Sequence, residues 1–227
     1  MNAQKTDRYK LMLGKQYDAS SHELVRERAK ARMLAVEFAK FAGTYTAIED
    51  TAAYMQYCKI RKQFLPNLDK TCLIDHGFHV DYGKNIYGGK NSIISFNVTL
   101  LDSVKIVLGD NVYIGSSVVI TDASHPLDPV ERTDNHGTIS KPVIIGNNVW
   151  ICANATICQG VTIGDNCVIA ANTCVRHDIP ANSIVAGPEG KVIGTTGNTD
   201  CIDASALTGN WHAFSNETDI QNNADNL

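Results

Sequence analysis

The chain has 227 residues, with 20 Lys and Arg against 24 Asp and Glu, a formal net charge of −4, and 44% hydrophobic residues. That length holds one sizeable core or a solenoid with a small cap, and its cations form no stripe interleaved with aromatics, which excludes a nucleic-acid partner. No stretch approaches the roughly 18 apolar residues of a membrane span, and seven cysteines, an odd count, fit reduced thiols in the cytoplasm better than a secreted disulfide framework.

In chain order, Ser20 with Glu23 reads as a capping box, and Val25, Ala29, Met33 and Val36 share a face, which predicts a helix over 20–41. Thr46 with Glu49 starts a second helix, filled by Tyr54, Tyr57, Cys58, Arg61 and Phe64 and stopped by Pro66. Arg26, Glu27, Arg28, Lys30 and Arg32 alternate in charge, as on a solvated outer face. Residues 1–70 therefore read as a helical cap.

From Cys72 onward short β-prone runs alternate with Gly and Asn turns, and residues 71–193 read as one repeat body. The repeat is cleanest from Val143 to Val185, where Ile145, Ile151, Ile157, Ile163, Ile169 and Val175 recur at every sixth position. Val149, Ala155, Val161, Cys167, Thr173 and Ile179 follow four places later each time. A helical period of 3.6 scatters such residues, and sandwich strands recur at about 8 to 12. Unbroken six-residue steps predict a mainly β hexapeptide solenoid, or β-helix. In a three-sided coil stacked neighbours lie 18 residues apart, and no pair among Cys152, Cys158, Cys167 and Cys174 has that separation, so these cysteines read as small buried fillers.

The rhythm stops at Thr121 and resumes after Lys141, so 121–141 is an inserted loop, the place where solenoids carry function. Within it His125 precedes Pro126, which holds the backbone before it extended, and a neutral imidazole suits the general base that activates a hydroxyl. His136, in the same loop, reads as solvated. Asp75, His76, His79 and Asp81 have the residue types of a metal site, but structural histidines are the better reading. Trp150 at an outward repeat position suits a coenzyme wall or a subunit contact, and outward Val168 and Ile184 leave apolar surface. Residues 194–227 form a polar tail, disordered or docked through its island Trp211 to Phe214.

His125-Pro-Leu-Asp-Pro-Val-Glu-Arg, then Lys141-Pro-Val-Ile-Ile-Gly-Asn-Asn-Val-Trp-Ile and Gly160-Val-Thr-Ile-Gly-Asp-Asn, resemble the maltose and galactoside O-acetyltransferases, a family that includes nodulation acetyltransferases. The resemblance runs from about Tyr9 to Ile193. It implies a left-handed parallel β-helix, a homotrimer with active sites between subunits, and transfer of acetyl from acetyl-CoA to a sugar hydroxyl with no metal. Only the resemblance supplies the handedness, since right-handed crossovers are the general expectation. The family's base falls on His125. Acceptor positions fall on Asp81, Ser95 and Asp102, with Arg28 and Asp18 from the cap. Coenzyme contacts fall on Trp150, Ala153, Ala171, Arg176, His177 and Lys191. The chain departs from the family at Ser95 and Ser103, where the galactoside enzyme has Asn and Asp, and at Arg176-His177, where Thr-Lys is usual. One permanent and one titratable cation then face the coenzyme phosphates. Three other readings share the solenoid: an acetyltransferase with a xenobiotic or amino acceptor, a metalloenzyme resembling the gamma-class carbonic anhydrases, and a scaffold without catalysis.

Overall fold

An aliphatic residue at every sixth position buries one side chain per short strand, and in this protein those side chains fill a single column. The structure is a computed structural model that describes residues 6–41, 51–134 and 137–197. Its body is a parallel solenoid of stacked three-sided coils. The first face holds Leu73–Ile74, Ile93–Ile94, Tyr113–Ile114, Trp150–Ile151, Val168–Ile169 and Ser183–Ala186. The second holds His79–Val80, Thr99–Leu101, Val119–Thr121, Thr156–Ile157 and Cys174–Val175. The third holds Ile86–Gly88, Ile106–Leu108, Val143–Ile145 and Thr162–Ile163. Each strand pairs in parallel with the strand one coil away, as in Ile114 on Ile151 on Ile169. All twelve positions named for the clean repeat are buried, none more than 5% exposed.

The corners need a left-handed backbone, and side chains with a local hydrogen bond tolerate it best. Asn91, Asn111, Asn148, Asn166 and Asn182 take φ between 52° and 62° where the third face turns into the first. Their amides form a ladder, Asn111 donating to Asn148 at 3.0 Å, Asn148 to Asn166 at 2.9 Å and Asn166 to Asn182 at 2.9 Å. At the same corner Gly109 is required by close approach, since a Cβ there would meet the carbonyl carbon of Gly146 at 2.5 Å. The last coil is closed by an antiparallel strand, Lys191–Thr195, beside Ser183–Ala186. Ile184 is 2% exposed and not outward as expected, because it lies where this hairpin closes the coil.

The cap comprises α1 (Asp7–Met12), α2 (His22–Ala39) and α3 (Thr51–Phe64). The N-cap of α2 is Ser21 without a side-chain capping bond. Ser20 instead donates to Asp18, through its backbone N–H at 2.8 Å and its hydroxyl at 2.6 Å. The buried seam of α2 is Leu24, Ala31 and Phe38, whereas Val25, Met33 and Val36 are exposed. The helix meets the body along a narrow line of seven-residue spacing, so its apolar face does not mark its contact. Phe38, Tyr57 and Phe64 pack together above the first coil. Arg61 is buried there and staples α3 to that coil, donating to the Tyr57 hydroxyl at 2.9 Å and to the Cys72 carbonyl at 2.8 Å. Thr46, Glu49, His136 and Trp211 to Phe214 lie outside the described residues. Among the described residues no helix is long and apolar enough to cross a membrane.

Cys152 and Cys167 are buried fillers, but Cys158 and Cys174 are half-exposed with their sulfurs 4.0 Å apart. Thr156, not Cys158, is the register partner of Cys174. The contact is diagonal between coils, which a count of 18-residue steps does not include.

Candidate active site at one corner of the coils

The early coils are longer than the clean ones. Val80, Leu100 and Ile120 stack at steps of 20 residues, whereas Ile151 stacks on Ile169 and Ile157 on Val175 at steps of 18. The additional residues lie between the second and third faces, where Asp81 to Asn85 and Leu101 to Lys105 bow outward, and where 122–142 leaves the coil altogether. A cleft of about 250 Å³ opens at this corner. Its lining includes Tyr17, Arg28, Asp81, Ser103, His125 and Thr138. A larger cavity of about 720 Å³ lies beside α3, lined by Tyr54, Arg61 and Lys70, but its described lining holds no His, Asp or Glu and it is remote in sequence and fold from His125.

The inserted segment is ordered by a small antiparallel sheet in which Ala123–Ser124 and Tyr17–Asp18 both pair with Gly137–Ser140. Asp128 caps the short helix α4 (Pro129–Asp134), accepting from the N–H of Val130 at 2.7 Å and of Glu131 at 3.1 Å. Arg132 donates to the Pro126 carbonyl at 3.1 Å. These contacts bring His125 to the cleft with Nδ1 at 3.0 Å from the Gly137 carbonyl oxygen. A carbonyl can only accept, so in the neutral imidazole Nδ1 carries the proton and Nε2 keeps its lone pair.

Tyr17 is buried and its hydroxyl meets Ser140 Oγ at 3.0 Å; burial, the largest influence, raises its pKa. Arg28 is no solvated charge. It donates to the Tyr82 hydroxyl at 2.8 Å and to the Ala19 carbonyl at 2.6 Å, and lies over the Tyr82 ring. Leu11, Tyr17, Leu24 and Tyr82 form an apolar cluster that ties α1, α2 and the corner together. Burial raises the pKa of Asp81, against the opposing charges of Arg28 and Arg32. The Thr138 hydroxyl is buried without a hydrogen-bond partner.

Asp102 does not stand on the cleft wall. It is 0% exposed, and its carboxylate accepts from the backbone N–H of Asp81 at 3.1 Å, Tyr82 at 2.8 Å and Asn85 at 3.1 Å. Those donors occupy a short polar side chain that turns inward, so it shapes the wall from beneath. Asp122, one coil on, is equally enclosed and accepts from Ser103, Val104 and Lys105. Burial pushes Asp102 up to about 6 and Asp122 up to about 7. Asp18 belongs to the small sheet and bonds Ser20; it does not line the cleft.

The remaining positions lie at two corners, on the first face and on the closing strand. Arg176 and His177 follow Cys174–Val175 and are exposed on the cleft's own corner, above Cys158. Ser95, Ala153 and Ala171 sit where the first face turns into the second, with Trp150 outward on the first face between Tyr113 and Val168. Lys191, on the closing strand beside Ala186, pairs with Glu189 at 2.9 Å. The cleft lining gathers Arg28, Asp81 and His125 and includes neither Ser95 nor any of the coenzyme positions. Asp75, His76, His79 and Asp81 do not converge, and among the described residues no three His, Cys, Asp or Glu side chains form a metal-ligand cluster. Tyr17 and Thr138 escaped sequence reading, while the 20-residue step of the early coils was a usable signal for the corner.

The family model for the bacterial transferase hexapeptide (six repeats) matches residues 142–177. The chain is 33% identical to nodulation protein L of Rhizobium meliloti (strain 1021) over 84% of its own length and 99% of that protein's. It superposes with TM-score 0.73 at 34% identity on the maltose O-acetyltransferase of Clostridium difficile 630, covering 84% of this chain and 97% of that one. A galactoside acetyltransferase solved in complex with coenzyme A superposes with TM-score 0.73 at 30% identity, covering 84% and 91%. With the same repeat, the same fold and identity along nearly the whole of these relatives, the chain belongs to the hexapeptide-repeat acetyltransferases of the maltose and galactoside O-acetyltransferase group.

Proposed function

We propose that the protein transfers acetyl from acetyl-CoA to a hydroxyl of a sugar, with His125 as general base. The observation that carries this reading is the Nδ1 contact of His125 with Gly137 at 3.0 Å, which leaves Nε2 as the proton acceptor at a polar cleft of about 250 Å³. A thioester is already activated. The protein has to hold the acceptor oxygen against the carbonyl carbon and remove its proton as the carbon–oxygen bond forms. The tetrahedral intermediate then expels the coenzyme thiolate, and the imidazolium returns the proton to the sulfur. No acyl-enzyme is needed, because the thioester reacts directly with a positioned and deprotonated hydroxyl.

Asp81 suits an acceptor contact, because a carboxylate receives two hydroxyl hydrogens in fixed directions. Arg28 is already spent on Tyr82 and Ala19, so it supports the wall and leaves the cleft suited to a neutral acceptor. We assign Trp150, Ala153, Ala171, Arg176, His177 and Lys191 to the coenzyme, and Ser95 to the acceptor, across a boundary between copies of a homotrimer. One chain spreads these groups over two corners, the first face and the closing strand, and a neighbouring copy laid against the cleft would complete the site. Tyr113 and Trp150, 50% and 41% exposed on the first face, are the apolar surface such a contact would cover. A cytoplasmic location fits the free thiols of the six described cysteines.

The test is incubation with acetyl-CoA and a panel of mono- and disaccharides, amino sugars and aryl amines, read by thiol release. Transfer to sugar hydroxyls that disappears in His125→Ala supports the assignment. Transfer to amines alone would replace the acceptor class, and sedimentation equilibrium at monomer mass would remove the shared site.

A further inference from the structure

Three backbone N–H groups of one turn converge on a single enclosed side chain beside the cleft. The Asp122 carboxylate accepts from Ser103 at 2.9 Å, Val104 at 2.7 Å and Lys105 at 2.9 Å. Ser103 is the residue this turn presents to the cleft. The main chain of Asp122 is tied as well. Its N–H donates to Leu101 O at 3.1 Å, and its carbonyl accepts from Lys141 N at 2.8 Å, closing the base of the inserted segment. Thr121 and Ala123, its two neighbours, both line the cleft, and His125 lies three residues on. One coil below, Leu101 stacks on Thr121, which places Asp102 beneath Asp122, and Asp102 holds the Asp81 to Asn85 turn in the same way.

We propose that Asp122 is a positioning residue for acetyl transfer, locking the Ser103 wall and the base of the His125 segment into one rigid unit while touching no substrate itself. This rests on the acceptor-site reading above. The physical ground is that a carboxylate enclosed with three donors has one low-energy placement, and removing its charge leaves N–H groups inside the corner unsatisfied. Asparagine has the shape but only one acceptor oxygen, so in either orientation its amide hydrogens face at least one of the three donors. Such a change loosens the acceptor side of the site and leaves the coils that carry Trp150 and Ala171 untouched.

The experiment compares the full-length parent with Asp122→Asn in the same acceptor panel. The expected result is an acceptor KM raised about tenfold and kcat lowered about tenfold, with the dissociation constant for acetyl-CoA within twofold of the parent. A variant whose acceptor constants stay within twofold while the parent is active overturns the proposal. So does one whose coenzyme and acceptor affinities fall together, since that reports general loosening. Should Asp122→Asn fail to fold, the parent decides. The titratable groups that act on Asp122 are Asp102 below it and Tyr17 from the cap, while Arg28, Asp81 and His125 line the neighbouring cleft. Amide resonances of Ser103, Val104 and Lys105 followed from pH 5 to 8 should move in one shared transition, and the acceptor KM should rise on its acidic side while the acetyl-CoA KM does not. Amides that move independently overturn the clamp. A parent inert toward every acceptor sinks the acceptor reading by itself, and the shared amide transition then judges the clamp alone.

Discussion

The clean coils after Lys141 and the corner that carries His125 use the same chain in opposite ways. In the coils each buried residue touches its equivalents one turn above and below, as Ile151 touches Ile114 and Ile169. At the corner the contacts that matter are distant in sequence. Tyr17 meets Ser140 across 123 positions, and Arg28 meets Tyr82 across 54. Stability is therefore distributed along a repeated column, whereas the geometry of the site depends on a few unrepeated long-range bonds. The difference teaches that substitutions in the coils and at the corner should fail differently.

The sharpest separation comes from His125→Ala. Turnover should fall by about a hundred- to ten-thousand-fold, while the thermal midpoint and the affinity for acetyl-CoA stay close to the parent, because the ring is at the surface of the segment and opens no cavity. Calorimetry beside steady-state kinetics measures both, and a loss below about tenfold removes His125 as the base. Ile157→Ala is the converse. The side chain is 0% exposed, so about 2–5 kcal/mol of stability should be lost by denaturant unfolding, with kcat of the folded fraction little changed. Were the two variants to lose activity and stability in equal proportion, the distinction between the regions would collapse.

A smaller effect probes the corner through pH. Burial places Asp102 at about 6 and Asp122 at about 7, above the ordinary 3.8, so the folded protein binds these protons more tightly than the unfolded chain. Their contribution to stability is full below the unfolded value and is lost as pH rises through about 7. The thermal midpoint should accordingly rise by a few degrees from pH 8 to pH 6, and Asp122→Asn should show a flatter dependence. A parent midpoint that falls over that interval would mean that the backbone donors outweigh burial. The smallest effect belongs to the coils: Asn148→Ala breaks two rungs of the amide ladder and puts alanine at φ 55°. A loss of about 1–2 kcal/mol is expected, with transfer to the acceptor unchanged.

Legibility followed the same division. Residues Ile145 to Ile179 declared their burial because a six-residue step on a three-sided coil returns every such position to the interior. The pairing of His125 with a cleft was visible only as a break in rhythm. Its partners Tyr17, Ser103 and Thr138 come from the cap, an early coil and the far side of the inserted segment, and no local pattern links them. The α2 face was misjudged for a related reason. A helix that touches the body through Leu24, Ala31 and Phe38 alone leaves Met33 and Val36 apolar without burying them, so periodicity pointed to the wrong side.

The amino-acid sequence by itself determined the solenoid, its six-residue step, the Asn and Gly corners and the position of the interruption, because each of these depends on neighbours within one coil. Only the tertiary structure decided that Asp102 faces inward, that Arg28 is a strut for Tyr82, and which nitrogen of His125 holds the proton. Those outcomes turn on which donor or acceptor a polar side chain meets, and that partner is brought close by the stacking of coils and the docking of the cap.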